Sequence, residues 1–321
     1  MNYYLKRIIS AIFMMFLISI IVFVLINLIP GNPYLNMISP STSKEEVQRL
    51  LENIGYFDPI HIKYIKWIKR VMILDLGYSS YYGDKIINII FDKFKYTFFL
   101  GSISIIITLI ISTVLSGICV IKKNKLLNRF IDALFIITTS MPSFFIAMIV
   151  IKLFAWDLKL LPATGSQSLF LEDSSIFNIF VDRLSHLILP VFVLVFMSIP
   201  NFIKYLKKEF EDISKMDFIR VLKAKGLSDF EIFSKHVSKN AIIPIITITS
   251  LELTYFLGGT LITETIFVLP GIGRLNFEAF INRDYYLIMA LLLFNSFLVV
   301  FLSLCSDFLY SIFDPRIKYD D

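Results

Sequence analysis

Six long apolar runs constrain this chain more than any other feature of its sequence. They cover residues 8–29, 96–121, 130–156, 187–203, 241–267 and 285–310. A bilayer core of about 30 Å needs about 20 helical residues, so most of these runs are long enough to cross it. Hydrophobic residues make up 56% of the chain and charged residues only 18%, which is more apolar surface than a core in water can bury. The sequence therefore predicts an all-α integral membrane protein with six transmembrane helices.

Two of the runs need a separate interpretation. Run 187–203 is short and contains Pro190 and Pro200, so we expect it to be bent or lengthened by residues near His186. A basic pair precedes the first run, as in a signal peptide. That run is nevertheless 22 residues long, and no small-x-small cleavage site follows it. It is interpreted as a retained membrane anchor.

The basic residues predict how the spans are oriented. With the N-terminus inside, the cytoplasmic pieces hold 17 of the 31 Lys and Arg residues, an excess that is typical of cytoplasmic loops. The net charge of +5 is therefore interpreted as a topology signal and not as a nucleic-acid footprint. Both termini are expected in the cytoplasm. The expected cytoplasmic pieces are 1–7, 122–129, 204–240 and 311–321.

The chain divides into three regions on this pattern. Residues 1–95 are the first transmembrane helix plus an extracytoplasmic helical segment. Residues 96–310 are the transmembrane core, with a cytoplasmic loop at 204–244, and residues 311–321 are a cytoplasmic tail.

The extracytoplasmic segment is expected to contain two helices. Thr42 and Glu45 fit a capping box that begins the first, and Gly55 can end it. Pro59 fits the first position of the second. Apolar residues follow at helical spacing in each: Val47, Leu50, Leu51 and Ile54, then Ile60, Tyr64, Ile68 and Val71. The pair should pack on the outer face of the membrane domain, either as a structural cover or as a docking surface.

The cytoplasmic loop predicts two short helices that meet at a glycine. The first is expected over 210–225, and Gly226 ends it; Ser228 and Glu231 form a capping box that begins the second. The residues expected along one side of these helices are Phe210, Ile213, Asp217, Val221 and Ala224, followed by Phe230, Phe233 and Val237. A solvated linker does not need such a stripe. It packs either on the protein's own membrane helices or on a cytoplasmic partner.

The sequence shows no pattern typical of an enzyme or a metal site. It contains no G-x-x-x-x-G-K-[ST] phosphate loop, no H-E-x-x-H and no G-x-S-x-G. Its three histidines are far apart, and both cysteines lie in apolar runs. We therefore expect neither catalysis nor a bound cofactor or metal in this chain.

The loop at 217–244 resembles the EAA loop of ABC importer permeases, in the version found in oligopeptide, dipeptide and nickel permeases. The resemblance rests on an A-K-G-L sequence at 224–227, and on His236, Asn240 and Pro244 in an H-x-x-x-N-x-x-x-P pattern. The literal E-A-A letters are missing. Their places are taken by Arg220, Val221 and Leu222.

Further motifs of this family follow in order along the chain. They are L-I-P-G-N-P at 28–33, D-L-G-Y-S at 75–79, S-M-P-S-F at 140–144, L-P-A-T-G at 161–165, H-L-I-L-P at 186–190, E-T-I-F at 264–267, P-G-I-G-R at 270–274, R-D-Y at 283–285 and D-P-R at 314–316. Each is weak alone, but the ordered set is specific. The long outside segment after the first helix resembles the corresponding segment of the B-type permeases of this family.

The resemblance implies a set of partners. A second, homologous permease would complete the pathway, two ATPase subunits would bind ATP and Mg²⁺ below, and an extracytoplasmic binding protein would deliver substrate above. The helix–glycine–helix loop would couple the chain to an ATPase. The residues assigned to coupling are Asp217, Arg220, Ala224, Lys225, Gly226, Leu227 and Ser228, and His236, Asn240 and Pro244 are expected to shape the loop.

Candidate pathway or gate residues are fewer and lie in the predicted spans. They are Ser140, Pro142, Glu252, Tyr255, Gly258, Gly259 and Glu264. A charge at a helix centre is costly in lipid, so an acid such as Glu252 should avoid the lipid face. It is either a hydrogen-bonded acid at a helix contact or a pathway residue that meets a cationic cargo.

Other functions stay open at this point. Peptides are the expected cargo, and nickel or metal chelates, glutathione and opines are alternatives. An ATPase-independent channel or secondary transporter should carry several intramembrane charges, and this chain offers few: Lys152, Glu252, Glu264 and Asp307. A membrane enzyme would need an acid/base or metal cluster.

Overall fold

The computed structural model describes residues 3–29, 44–168 and 175–313. Within those ranges the regular elements are helical throughout. The helices are α1 (Tyr3–Leu28), α2 (Lys44–Ile54), α3 (Ile60–Met72), α4 (Ile86–Lys122), α5 (Lys125–Ser140), α6 (Ser143–Val150), α7 (Ile176–Ser214), α8 (Asp217–Ala224), α9 (Asp229–Ile232), α10 (Ser238–Asn240), α11 (Ile242–Gly259), α12 (Leu261–Ile266), α13 (Ile272–Ile281) and α14 (Tyr285–Phe313). Two π-helical turns, Ile151–Asp157 and Phe233–Val237, continue α6 and α9. Thr42 of the predicted capping box, the L-I-P-G-N-P motif beyond Ile29, and the D-P-R tail lie outside the described residues.

The two longest helices, α4 and α7, form the centre of the molecule. The buried face of α4 carries small and polar residues about four positions apart, and Ser112 and Ser116 of this row meet α7; the row is Thr97, Gly101, Ser104, Thr108, Ser112 and Ser116. Such residues let two membrane helices approach closely. Ser116 Oγ donates a hydrogen bond to the Ile203 carbonyl at 3.1 Å, so the contact is polar as well as close.

The first and last helices, α1 and α14, pack together along one side of this centre. Val22 and Phe23 of α1 bury against Met289 of α14. Near the other end of the pair, Arg7 lies 3.3 Å from Asp307 in an ion pair. That contact gives Asp307, one of the few predicted intramembrane charges, a partner within the chain.

Both helices predicted for the segment after α1 are present, although Pro59 is the N-cap of α3 and not its first helical residue. Gly55, with φ +79, ends α2, and α3 begins directly after Pro59. The contact face of α3 differs from the predicted stripe, because Ile60 is exposed and Trp67 packs on Phe23 instead. Tyr64, which was predicted, hydrogen-bonds Ser19 of α1 at 2.8 Å. The helix α3 therefore packs against the side of α1.

The six-span prediction is confirmed only in part. Over the described residues, four helices are long and apolar enough to cross a membrane: α1, α4, α7 and α14. Run 130–156 is not one straight helix, because α5 and α6 meet at 106° at Met141–Pro142 and count as a fifth span only if joined. Pro142 explains the break, since the residue before a proline avoids the helical conformation.

The two remaining runs also differ in detail from the prediction. Run 241–267 is divided at Thr260 into α11, a shorter apolar helix, and α12. The fourth run is lengthened through His186, as expected, and belongs to the 39-residue α7, which keeps both prolines inside it. The six-helix topology therefore stays a prediction.

Candidate functional site

The predicted glycine corner is present and has a complete helix stop. Gly226 has φ +84, its N–H bonds the Lys223 carbonyl at 2.9 Å, and the Leu227 N–H bonds the Leu222 carbonyl at 3.3 Å. This pair of bonds is the Schellman arrangement, in which a left-handed residue, usually glycine, ends a helix. Leu222 and Leu227 also join the same apolar cluster, as that motif requires. The chain therefore turns sharply between α8 and α9.

The second helix of the corner begins with the predicted capping box. The Ser228 hydroxyl accepts a hydrogen bond from the Glu231 N–H at 3.3 Å, and the Glu231 carboxylate accepts one from the Ser228 N–H at 3.1 Å. The Ser228 N–H and hydroxyl, which both donate to the Glu231 carboxylate, and the nearby Lys235 ammonium hold the pKa of the Glu231 carboxyl below its usual range. The box satisfies two of the free N–H groups at the start of the helix.

The inner side of the corner is joined firmly to the membrane helices. Ile219 of α8 and Ile232 of α9 are buried with Phe210, at the end of α7. The Phe233 ring stands edge-on to Phe210 at 5.0 Å and lies against Gly117 of α4, where a Cβ would be 2.7 Å from the ring. The corner is therefore packed against both α4 and α7.

One helix over 210–225 was predicted, and this is wrong. The helix α7 runs on to Ser214, and α8 begins separately at Asp217. Asp217, Val221 and Ala224 do share one face of α8, but that face is exposed and Ile219 is on the buried side. Phe230 of the predicted stripe is 70% exposed, so it does not pack on the protein's own membrane helices. The apolar side chains are thus divided between an inner and an outer surface.

The outer surface of the corner is apolar with a charged rim. We call Met216, Phe218, Val221 and Phe230 the coupling patch; all four are exposed.

The charged rim of the coupling patch is also exposed. Arg220 and Lys225 lie beside the patch in the sequence, and Arg220 pairs with Asp217 at 3.5 Å. A Cβ at Gly226 would meet no atom within 4 Å. In the part of the chain that the structure describes, nothing covers this patch.

The H-x-x-x-N-x-x-x-P residues shape the return into the membrane domain. The Asn240 side-chain amide donates to the His236 carbonyl at 2.8 Å, which satisfies a group left free near the end of this helical stretch. Pro244 lies in the first turn of α11, where its missing N–H costs no helical hydrogen bond. All three residues therefore act on the local backbone.

Among the pathway candidates, Glu252 has a definite partner. Ser198 Oγ of α7 donates to Glu252 Oε1 of α11 at 2.5 Å, and the Glu252 side chain is half-buried. Tyr255, three residues further along α11, is 61% exposed. The two side chains thus lie near one side of α11, with the acid towards α7.

The other pathway candidates lie at breaks or ends of helices. Ser140 ends α5 and Pro142 caps α6, so both are at the 106° bend. Gly258 and Gly259 form the last turn of α11. The structure brings neither pair together with Glu252, and their pathway role stays a prediction.

Glu264 is fully buried in a network within the chain. Its carboxylate accepts hydrogen bonds from Thr97 Oγ1 at 2.7 Å, Thr260 Oγ1 at 2.6 Å and the Arg274 N–H at 3.1 Å. Thr97 Oγ1 also accepts a bond from the Ile272 N–H at 2.8 Å. The acid and the threonine together cap the start of α13, which has no cap of its own.

The glycines of P-G-I-G-R are explained by this network. A side chain at Gly271 would overlap the Glu264 carboxyl group, and a Cβ at Gly273 would lie 2.6 Å from the Leu261 backbone. The E-T-I-F and P-G-I-G-R motifs are therefore two halves of one packed unit.

A second motif pair was missed by sequence reasoning. Ser79 of D-L-G-Y-S donates through Oγ to Asp284 Oδ2 of R-D-Y at 2.5 Å, and both residues are buried. The same carboxylate accepts from the Leu287 N–H at 3.2 Å, so it also caps α14. Asp284 directly precedes an apolar run, which was the available signal for a cap.

The arrangement defines a class of protein. An all-helical bundle with membrane-length helices carries, between α7 and α11, a helix–glycine–helix corner whose outer patch is uncovered in the described residues. Those residues also contain no group of three or more His, Cys, Asp or Glu side chains that could hold a metal ion. These features are those of a multi-helix membrane protein with an exposed apolar patch at one corner.

The chain belongs to the binding-protein-dependent transport system inner membrane component family. The family's sequence profile matches residues 110–319, and the profile of the N-terminal region of these membrane components matches residues 1–101. The chain is thus a permease subunit of the ABC transporter type.

Named relatives match over their full length. The chain is 32% identical to the oligopeptide transport system permease protein AppB of Bacillus subtilis, over 99% of both chains. It is 31% identical to the dipeptide transport system permease protein DppB of Alkalihalophilus pseudofirmus and 27% identical to the glutathione transport system permease protein GsiC of Salmonella paratyphi A, again over 99% of each chain.

A solved structure shares the fold. It is an inward-facing conformation of the MetNI methionine ABC transporter, with a TM-score of 0.54 and 14% identity, covering 71% of this chain and 96% of that one. At that identity the likeness concerns the fold alone.

Proposed function

We propose that this chain is the B-type permease subunit of a bacterial importer that takes up di- or oligopeptides. It forms half of the translocation pathway, and a second, homologous permease forms the other half. Relatives named for oligopeptide and dipeptide transport match it from end to end, which supports this cargo. The observation that carries the proposal is the uncovered coupling patch on a corner fixed to α4 and α7.

The coupling patch is the docking surface for an ATPase subunit. Val221 and Phe230 offer exposed apolar area, and Arg220 and Lys225 surround it with positive charge. Interfaces of this kind bury an apolar centre inside a polar rim. Leu227 and Ser228 support the patch, because they fix the turn and the capping box of the corner.

ATP and Mg²⁺ bind to the ATPase partners, and this chain supplies the moving parts. When the ATPases close and open, the patch moves with them, and the buried contacts of Ile219, Ile232 and Phe233 carry the movement into α4 and α7. Packed interfaces of this kind move as rigid bodies between discrete states. The pathway would then face one side of the membrane at a time.

The corner lies on the cytoplasmic side in this proposal. Lys123 lines the same cavity as Lys215 and Lys223, so the basic 122–129 loop and the corner are at one end of the bundle. Cytoplasmic ends of membrane proteins are enriched in such residues. The extracytoplasmic binding protein would therefore deliver substrate at the opposite end, where α2, α3 and α13 lie.

Glu252 is the proposed cargo-sensing residue of the pathway. Its carboxyl is held by Ser198 and is only half-buried, so one side of it stays accessible from α11. Tyr255 is exposed nearby and provides an aromatic surface. An acid in this position fits a cargo that carries a free amino group.

The other candidate residues are proposed to act on the helices around Glu252. The residues that would let these helices bend are Ser140, Pro142, Gly258 and Gly259. Glu264 is proposed to hold the outer gate through α13.

Replacing one patch residue tests the docking surface. Phe230→Glu should abolish both ATPase co-purification and peptide uptake, because it places a charge in the apolar centre of the interface. Phe57→Glu is the matched control, since Phe57 is 61% exposed on the extracytoplasmic segment. Normal co-purification and uptake with Phe230→Glu would rule out this surface.

Glutathione is the second candidate cargo, because one full-length relative is named for it. Nickel or metal chelates and opines remain more distant alternatives. The ligand carried by the binding protein that co-purifies with the complex would distinguish them. A chain that transports without any ATPase would instead be a channel or a secondary transporter.

A further inference from the structure

A cavity of about 200 Å³ lies between α1, α3 and the start of α14. Its inner wall is apolar and includes Phe23, Trp67 and Met289. Its lining also includes three cationic side chains from α3, Lys63, Lys66 and Arg70. An apolar wall with a cluster of positive charge suits a ligand that has both an anionic group and a hydrocarbon part.

The three cations form one flank of α3. They follow each other at intervals of three and four residues, and Ile60–Met72 contains no acidic residue. Their present partners lie at the ends of the helix: Lys66 pairs with Asp58 at 2.6 Å and Arg70 with Asp75 at 2.7 Å.

Those pairs are exposed to solvent. The Lys66 and Arg70 side chains are 60% and 54% exposed, and Lys63 lies over the Tyr56 ring, 4.9 Å from its centre. Exposed ion pairs are weak, so another anion can share or replace these carboxylates. The helix itself carries four basic residues and no acidic one, so this part of the chain is positively charged.

The position of α3 indicates where the anion comes from. Its Tyr64 and Trp67 pack on Ser19 and Phe23 of α1, one of the membrane-length helices. The opposite flank is apolar and open: Ile65 is 48% exposed and Met72 is 79% exposed. A helix with one apolar flank, one basic flank and aromatic anchors is typical of the membrane–water interface.

We propose that this cavity binds an anionic phospholipid of the outer leaflet. The lipid phosphate lies at Lys63, Lys66 and Arg70, and one acyl chain lies along Phe23 and Met289. A water-soluble anion would use the cations but not the apolar wall, whereas a lipid uses both. The site is independent of the identity of the cargo and lies on the face of α1 and α14 away from the coupling patch.

The test uses the full-length chain, purified with the subunits that remain bound to it. Native mass spectrometry measures how much phosphatidylglycerol and phosphatidylcholine, supplied in equal amounts, stays attached. A third arm supplies glycerol phosphate alone. We expect retention of phosphatidylglycerol over phosphatidylcholine and no retention of glycerol phosphate. Equal retention of the two lipids, or retention of glycerol phosphate alone, would overturn the proposal.

Variants then locate the site. The double variant Lys63→Gln with Arg70→Gln should lower phosphatidylglycerol retention by about tenfold or more, because each basic residue adds to the attraction of an anionic lipid. Lys69→Gln is the matched control, since Lys69 is exposed on the same helix and does not line the cavity. Lys66→Gln serves if the double variant does not fold. A loss in the control as large as in the variants would also overturn the proposal.

Discussion

The Lys223 ammonium lies 2.9 Å from the Asp229 carboxylate, and the two residues stand on opposite sides of the Gly226 corner. Lys223 is in the last turn of α8, and Asp229 is the first residue of α9. Both are more than half exposed, so the ion pair contributes little to overall stability. The pair joins α8 to α9, and we expect it to help hold the angle at which the two short helices present the coupling patch.

Reversing one charge of this pair should weaken coupling. In Lys223→Glu, residues 223 and 229 repel each other, and we expect uptake to fall by about fivefold while the chain stays folded, since exposed pairs are worth at most about 1 kcal/mol. Adding Asp229→Lys restores an attractive pair and should restore uptake. Substrate uptake at equal expression measures both variants. Failure of the double variant to recover would show that the pair does not set the angle.

The Glu264 network should make one glycine indispensable. Gly273→Ala places a Cβ 2.6 Å from the Leu261 backbone, and we expect a destabilisation of about 1–3 kcal/mol from overpacking. Gly101→Ala is the matched control, because its Cβ meets Phe256 at an ordinary 3.4 Å and alanine favours the helix. Thermal unfolding of the two purified variants in detergent gives the comparison. Equal melting temperatures would contradict the close packing of Gly273 in the Glu264 network.

The fold could be predicted from the sequence where apolar runs and caps decide it. The apolar runs locate α1, α4, α7 and α14, and the Ser228 capping box and Gly226 stop form as the residue types predict. Pro142 was the available signal for a break, but the angle of the bend could not be predicted. A proline ends or kinks a helix by an angle that tertiary packing determines. The division at Thr260 leaves no comparable signal in the sequence.

The functional site was predictable in position but not in contacts. Sequence reasoning located the corner, yet it left open whether the stripe with Val221 and Phe230 packs inside the chain or on a partner, because spacing shows that residues share a face and not which way that face points. The partners of Glu252, Glu264 and Asp284 come from distant parts of the chain. Such long-range pairs are set by packing and were not visible in the pattern.

Single cysteines should confirm the orientation of the bundle. In a background with Cys119 and Cys305 replaced, cysteines at Lys123 and Ser228 should react with membrane-impermeant thiol reagents only from the cytoplasmic side. Cysteines at Lys69 and Gln167 should react only from outside. The distribution of Lys and Arg gives this expectation. Labelling of the Lys69→Cys variant from the cytoplasm alone would show the opposite topology. It would also rule out docking of an ATPase at the corner.

Glu252→Gln tests the proposed cargo-sensing residue. The amide keeps the size of the side chain and can still accept the Ser198 hydrogen bond, but it removes the charge. We expect slower uptake of peptides with a free amino group and little change for peptides with a blocked one. Expression and ATPase co-purification should be unchanged. An equal effect on both kinds of peptide would leave Glu252 with a structural role only.

The most direct test of the coupling account compares two glycines in the same backbone conformation. Gly226 has φ +84 and Gly83 has φ +71, and neither has an atom within 4 Å of its missing Cβ. A tryptophan at either site carries the same strain, about 1–2 kcal/mol for a left-handed residue. Only Gly226 lies at the coupling patch, so only there does the bulk block docking.

The measurement is ATPase co-purification and substrate uptake for Gly226→Trp and Gly83→Trp at equal membrane levels. The account predicts that Gly226→Trp loses ATPase co-purification and substrate uptake, and that Gly83→Trp keeps both. Normal uptake in Gly226→Trp, or equal losses in the two variants, would contradict the assignment of this corner as the coupling element.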